Sequence, residues 1–79
     1  MEKFEISVTE NGRNRHFEVV DHMHHDARNG HCKYEVFENG QLIATFEPEH
    51  RHLRVCTDAG VVDQSLLDLI AAQLERDHI

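Results

Sequence analysis

Residues 3–20, KFEISVTENGRNRHFEVV, decide the fold because a turn signal and two strand patterns coincide there. On both sides of Asn11-Gly12, apolar residues alternate with polar ones, which is the period of a strand with one buried face. Asn-Gly favours a two-residue type I′ turn, whose central residues both need positive φ. A turn at this point sets the register Phe4–Val19, Ile6–Phe17 and Val8–Arg15. Turn and pattern therefore predict the same β-hairpin.

Residues 33–49, KYEVFENGQLIATFEPE, repeat this arrangement around Asn39-Gly40. A tight turn there predicts the pairs Phe37–Leu42, Val36–Ile43 and Tyr34–Thr45. One face of this hairpin would carry Tyr34, Val36 and Ile43, and the other Phe37, Leu42, Ala44 and Phe46. Since both faces are apolar, we expect the hairpin to be central in a sheet or covered on each side. Pro48 lacks a backbone donor and is expected to end the second strand.

A fifth strand and a helix complete the chain. Residues 51–58 alternate Leu53 and Val55 with polar neighbours. An amphipathic helix follows from about Gln64 to Asp77, with Asp63 as its N-cap. Its apolar stripe consists of Leu66, Leu67, Ile70, Ala71 and Leu74. The sequence thus predicts one small α+β domain over residues 1–79, an antiparallel meander of four or five strands with the C-terminal helix packed on one face.

The segment 21–31 admits two interpretations. A turn at Asn29-Gly30 would place His25 opposite Tyr34 and Asp26 opposite Lys33, which continues the meander. Alternatively, the segment is a loop that links two hairpins. We favour the partly stranded version because a charge pair and a histidine–aromatic pair match across the turn.

The charge balance restricts the partners. Asp and Glu number 15 against 8 Lys and Arg, a net charge of −7 with neutral histidines. Such a chain repels phosphate backbones and anionic membrane surfaces, so we expect neither nucleic-acid nor membrane binding. No apolar run has the length of a membrane span or a signal-peptide core, which predicts a cytoplasmic protein. In that compartment we expect Cys32 and Cys56 as thiols, with one disulfide as the alternative.

Two His-x-His pairs are the best sequence argument for a metal site. Residues two apart project from the same face of a strand, so His22 would converge with His24, and His50 with His52. Imidazoles in such a group suit Zn²⁺, Ni²⁺ or Cu²⁺. The paired Cys-x-x-Cys and the helical His-Glu-x-x-His zinc signatures are both missing from the sequence. We therefore expect no cofactor, and zinc bound by these four histidines is the alternative.

No catalytic signature is present in the sequence. Cys56 with His50 or His52 has the residue types of a thiol nucleophile and its base, but the spacing does not bring them together. The four glycines are all explained by turns, so the chain has no glycine-rich phosphate loop. We therefore expect a protein that is not an enzyme.

An apolar surface indicates a partner. One helix cannot cover both faces of the second hairpin, so the face with Phe37, Leu42 and Phe46 would stay exposed. Exposed apolar patches usually mark interfaces. The sequence thus predicts a binding module that forms a homodimer or binds another protein, with a histidine-based metal protein as the alternative.

Overall fold

The computed structural model describes residues 2–22, 32–50, 52–58, 60 and 62–78. In this part of the chain, the elements are β1 (Glu2–Glu10), β2 (Arg13–Asp21), β3 (Tyr34–Glu38), β4 (Gln41–Glu49), β5 (His52–Asp58) and α1 (Gln64–His78). The strands form one antiparallel sheet in the order β1-β2-β3-β4-β5, so each pairs with its neighbour in sequence. The predicted α+β meander with a C-terminal helix on one face is confirmed.

The β1–β2 hairpin matches its prediction throughout. Asn11 and Gly12 have φ of 53° and 79°, the positive values that a type I′ turn requires. All three predicted pairs are present, namely Phe4–Val19, Ile6–Phe17 and Val8–Arg15. A regular ladder carries the register of its turn along its whole length.

The β3–β4 hairpin matches only near its turn. Phe37 pairs with Leu42 as predicted, but the ladder then shifts by one residue and leaves Ile43 without a partner. Beyond this β-bulge the observed pairs are Val36–Ala44 and Tyr34–Phe46, so the predicted pairs Val36–Ile43 and Tyr34–Thr45 are wrong. A bulge adds one residue to one strand and reverses the alternation after it. Phe46 therefore points to the opposite face from the one predicted.

Pro48 lies inside β4 and pairs with Leu53, so the prediction that it ends the strand is wrong. The ladder between β3 and β4 ends at the pair Tyr34–Phe46. Beyond that point, the described residues give β4 a ladder with β5 alone. A proline without an N–H is tolerated there, because one side of the strand has no ladder bond to lose among these residues.

The core lies between one face of the sheet and α1. Its buried side chains include Phe17, Val19, Val36, Phe46, Leu66, Ile70 and Leu74, each at most 2% exposed. The helix begins where its cap predicts, because the Leu66 N–H donates to Asp63 Oδ1 at 3.0 Å. All five residues of the predicted stripe belong to the core or pack against it, and Leu69 at its margin is 38% exposed.

The pairing between the end of β2 and the start of β3 differs from the favoured interpretation. Tyr34 pairs with Asp21, so the prediction of His25 opposite Tyr34 is wrong. The side chain of Lys33 makes an ion pair with Asp21, and the predicted placement of Asp26 opposite Lys33 lies outside the described residues. The predicted turn at Asn29-Gly30 lies outside the described residues.

Candidate functional site

The two faces of the sheet have different surroundings. One face packs against α1, which contacts both edge strands β1 and β5. No helix among the described residues packs on the opposite face, which we call the open face. Strand alternation and register assign to it Lys3, Glu5, His16, Glu18, Val20, Glu35, Phe37 and Leu42.

A groove of about 500 Å³ runs over the open face. Its lining residues come from β1, β2, β3 and the second turn: Lys3, Glu5, His16, Phe17, Glu18, Val20, Phe37, Asn39 and Gly40. Val20 is 6% exposed and Phe37 is half-buried, so they form an apolar floor. A floor of this kind with charged groups around it is typical of a binding surface.

The structure separates the three predicted interface residues. Phe37 and Leu42 are cross-strand partners on the open face, and Leu42 is 39% exposed. Phe46 is 0% exposed and lies in the core against α1. Its predicted place on the exposed face is wrong, because the bulge at Ile43 turns it inward. The apolar surface of the open face therefore consists of Val20, Phe37 and Leu42.

Charges of both signs surround this surface. Glu5 and Glu18 stand directly opposite each other on β1 and β2, and like charges in that position repel. Lys3 lies beside them across from Val20, and His16 lies across from Ser7. The groove thus combines a repelling acidic pair with the Lys3 ammonium group, which lies on the same strand face as Glu5.

The described histidines occupy separate positions. The Nε2–H of His22 donates to Glu35 Oε1 at 2.6 Å. The Nδ1–H of His52 donates to Glu75 Oε1 of α1 at 3.0 Å, and the His52 side chain is 85% exposed. His50 lies exposed in the β4–β5 turn with φ of 61°. Among the described residues, none of these three belongs to a group of three donor atoms at metal-binding distances.

His24, the fourth predicted ligand, lies outside the described residues. Zinc, nickel or copper bound by His22, His24, His50 and His52 therefore stays a prediction. The described geometry instead gives His22 and His52 carboxylate partners.

Cys32 and Cys56 form a disulfide, with Cα atoms 6.7 Å apart, so the prediction of two thiols is wrong. The cause is a second bulge, which leaves Cys56 without a cross-strand partner between the pairs Thr45–Thr57 and Phe46–Val55. A bulge redirects a side chain, which the alternation of β5 does not predict. With its sulfur bonded, Cys56 is not a nucleophile in this state.

Two further ionisable groups favour the protonated form. Burial opposes the charge of Lys33, but its hydrogen bond to Asp21 and its attraction to nearby negative charge raise its pKa. Burial raises the pKa of Tyr34, over whose ring the Lys33 ammonium lies at 4.8 Å. Neither group is a general base near neutral pH, because a base must lose its proton in that range.

Comparison with known protein families, curated proteins and solved structures gives no match. Within the described part of the chain, no helix has the length and apolar character needed to cross a lipid bilayer. The sequence correctly predicted that Phe37 and Leu42 share the face that α1 does not cover, since they lie next to a turn that sets their register. It did not identify Val20, whose only signal was a second valine directly after Val19.

Proposed function

We propose that the protein is a non-enzymatic interaction module that forms a homodimer through the open faces of two copies. One observation carries the proposal: Leu42 is 39% exposed beside half-buried Phe37, on the face opposite α1. Large apolar side chains that adjoin a groove mark interaction sites more often than single exposed leucines do.

Charge supports a second copy as the partner. Two copies related by a twofold axis present the same surface to each other, so that surface must complement itself. The repelling pair Glu5 and Glu18 gains from a cation, and Lys3 of a second copy supplies one from the same groove. Each copy offers both the acidic pair and the lysine, whereas a partner whose surface carries only one sign of charge would complement only one of them.

The contact area sets the expected strength. Full burial of an apolar side chain contributes about 1.5–3 kcal/mol, and Phe37 and Leu42 are already partly buried in the monomer. Association also costs translational and side-chain freedom. We therefore expect a dimer with a dissociation constant in the micromolar range or above, with charge selecting the partner rather than adding most of the affinity.

Sedimentation equilibrium from micromolar to millimolar concentration tests this proposal. Wild-type protein should dimerise, and Leu42→Glu should shift the dissociation constant upward by about tenfold or more, because the glutamate would be buried without a partner. Leu69→Glu is the matched control, since Leu69 is 38% exposed but lies on α1. A monomer at all concentrations, or equal weakening by both variants, would contradict the proposal.

A further inference from the structure

Three potential metal ligands converge beside β5. Cys32 Sγ, Cys56 Sγ and a carboxylate oxygen of Glu47 all lie within 4.8 Å of one another. All three residues are half-buried and come from different parts of the sheet: the residues before β3, the end of β4, and the bulge in β5. Two sulfurs and one oxygen are thus placed together by the fold rather than by a short sequence motif.

The backbone fixes this arrangement. Cys56 leaves the strand alternation at the bulge, and Glu47 follows Phe46, the last residue of β4 that pairs with β3. The N–H of Lys33, the residue directly after Cys32, donates to Glu47 Oε2 at 3.3 Å. This hydrogen bond holds the Glu47 carboxylate close to Cys32. The backbone therefore holds the three donor groups close together before any ligand arrives, which lowers the cost of binding.

We propose that reduction of the Cys32–Cys56 disulfide creates a Zn²⁺ site formed by the two thiolates and the Glu47 carboxylate. Thiolate and carboxylate are both zinc ligands, and three protein ligands leave the fourth tetrahedral position to water. Two thiolates and a carboxylate at this distance repel one another, and a dication offsets most of that charge. This donor set contains none of the histidines in the His-x-His pairs.

The geometry allows both states. Tetrahedral coordination with Zn–S bonds of about 2.3 Å places two sulfurs roughly 3.8 Å apart. The Cα atoms of Cys32 and Cys56 are 6.7 Å apart, so rotation of the cysteine side chains reaches that separation. The Glu47 oxygen needs only a small displacement from its place within 4.8 Å of both sulfurs.

The chemistry balances with a dithiol as reductant. Its two thiols give two electrons and two protons to the Cys32–Cys56 bond, and the dithiol becomes a disulfide. Zn²⁺ then displaces the two thiol protons and binds the thiolates. An oxidising disulfide reverses the process: it takes two electrons from the two thiolates and two protons from water and becomes a dithiol, while the Cys32–Cys56 bond forms again and Zn²⁺ leaves. The cluster would thus bind zinc under reducing conditions and release it on oxidation.

Metal titration of the full chain in both redox states tests this proposal. The protein is reduced with a phosphine, which is removed under argon, and Zn²⁺ is added against a colorimetric chelator. Native mass spectrometry should show one zinc per reduced chain and none per oxidised chain. Co²⁺ in place of Zn²⁺ should give thiolate-to-cobalt charge-transfer bands, which histidine ligands do not produce.

Glu47→Gln should weaken zinc binding by about tenfold or more, since one anionic ligand is lost. Glu49→Gln is the control, because Glu49 lies on the same strand but pairs with Arg54 at 2.9 Å. Cys56→Ser should abolish uptake, and circular dichroism of each reduced variant checks that it is folded. Absence of stoichiometric zinc in the reduced protein, cobalt spectra without thiolate bands, or equal affinity of the two glutamine variants would overturn the proposal. These results do not depend on whether the open face forms a dimer.

Discussion

Phe37 and Phe46 belong to one hairpin, yet they lie on opposite faces of the sheet in different environments. Phe46 is 0% exposed in the core under α1, whereas Phe37 is half-buried in the groove beside exposed Leu42. The bulge at Ile43 causes this difference, because regular alternation would place both rings on the same face. One extra residue in β4 thus decides which aromatic ring lies in the core and which one lies on the open face.

The largest expected effect is on Phe46. Phe46→Ala should lower the free energy of unfolding by about 3–5 kcal/mol, because it leaves a cavity in the core. Phe37→Ala should cost about 1 kcal/mol or less in the monomer, since its ring is only half-buried. Urea unfolding at a protein concentration below the dissociation constant of the proposed dimer measures both values. Equal costs for the two variants would contradict the assignment of the rings to different environments.

A smaller difference in stability is expected between alanine variants of two arginines, Arg15 and Arg54, which lie on opposite sides of the sheet. Arg15 bonds Glu10 at 2.9 Å and Glu38 at 2.7 Å and lies over the Phe17 ring, with a side chain 29% exposed. Arg54 pairs with Glu49 alone, and its side chain is 60% exposed.

Arg15→Ala should therefore cost about 1 kcal/mol of unfolding free energy, partly from lost packing of its stem, and Arg54→Ala close to none. Urea unfolding at low and high salt checks this, because salt screens the ionic part of the Arg15 contribution. A larger loss of unfolding free energy in Arg54→Ala than in Arg15→Ala would contradict this ranking of the two arginines.

The smallest effect concerns the helix that covers one face. Hydrogen bonds from the Leu66 N–H and the Ser65 hydroxyl hold the pKa of Asp63 below its ordinary value of 3.8. A lowered pKa means that the stabilisation is complete above about pH 3.8 and is lost as the pH falls through the folded-state value.

Asp63→Asn should thus have a lower urea midpoint than wild type near neutral pH. The difference should narrow only as the pH falls below about 3.8 and through the folded-state pKa, because the wild-type carboxylate is then protonated. A gap that widens on acidification would show that Asp63 is not stabilised as the carboxylate.

The first hairpin, the second turn and the helix could be predicted because local rules agree there. Strand alternation, the Asn-Gly turns and the Asp63 cap each act within a few residues, and the local signals within each element agree. The run Leu42 to Phe46 could not be assigned in this way, since four consecutive buried residues from Ile43 onward give no period of two.

Each bulge adds one residue to one strand, and no short pattern in the sequence marks where that residue is inserted. For the same reason the sequence did not reveal the convergence of Cys32, Glu47 and Cys56. Spacing along the chain instead favoured the His-x-His pairs, because it shows which residues share a strand face but not which strands bring their side chains together.

Isotope-filtered NMR on a mixture of labelled and unlabelled chains shows directly whether two copies meet on the open face. At a concentration where sedimentation shows dimers, we expect intermolecular NOEs from the Phe37 ring and the Leu42 methyl groups. We expect none from Phe46, which the core encloses. Intermolecular NOEs from Leu69 of α1, without any from Phe37 or Leu42, would contradict the proposed dimer.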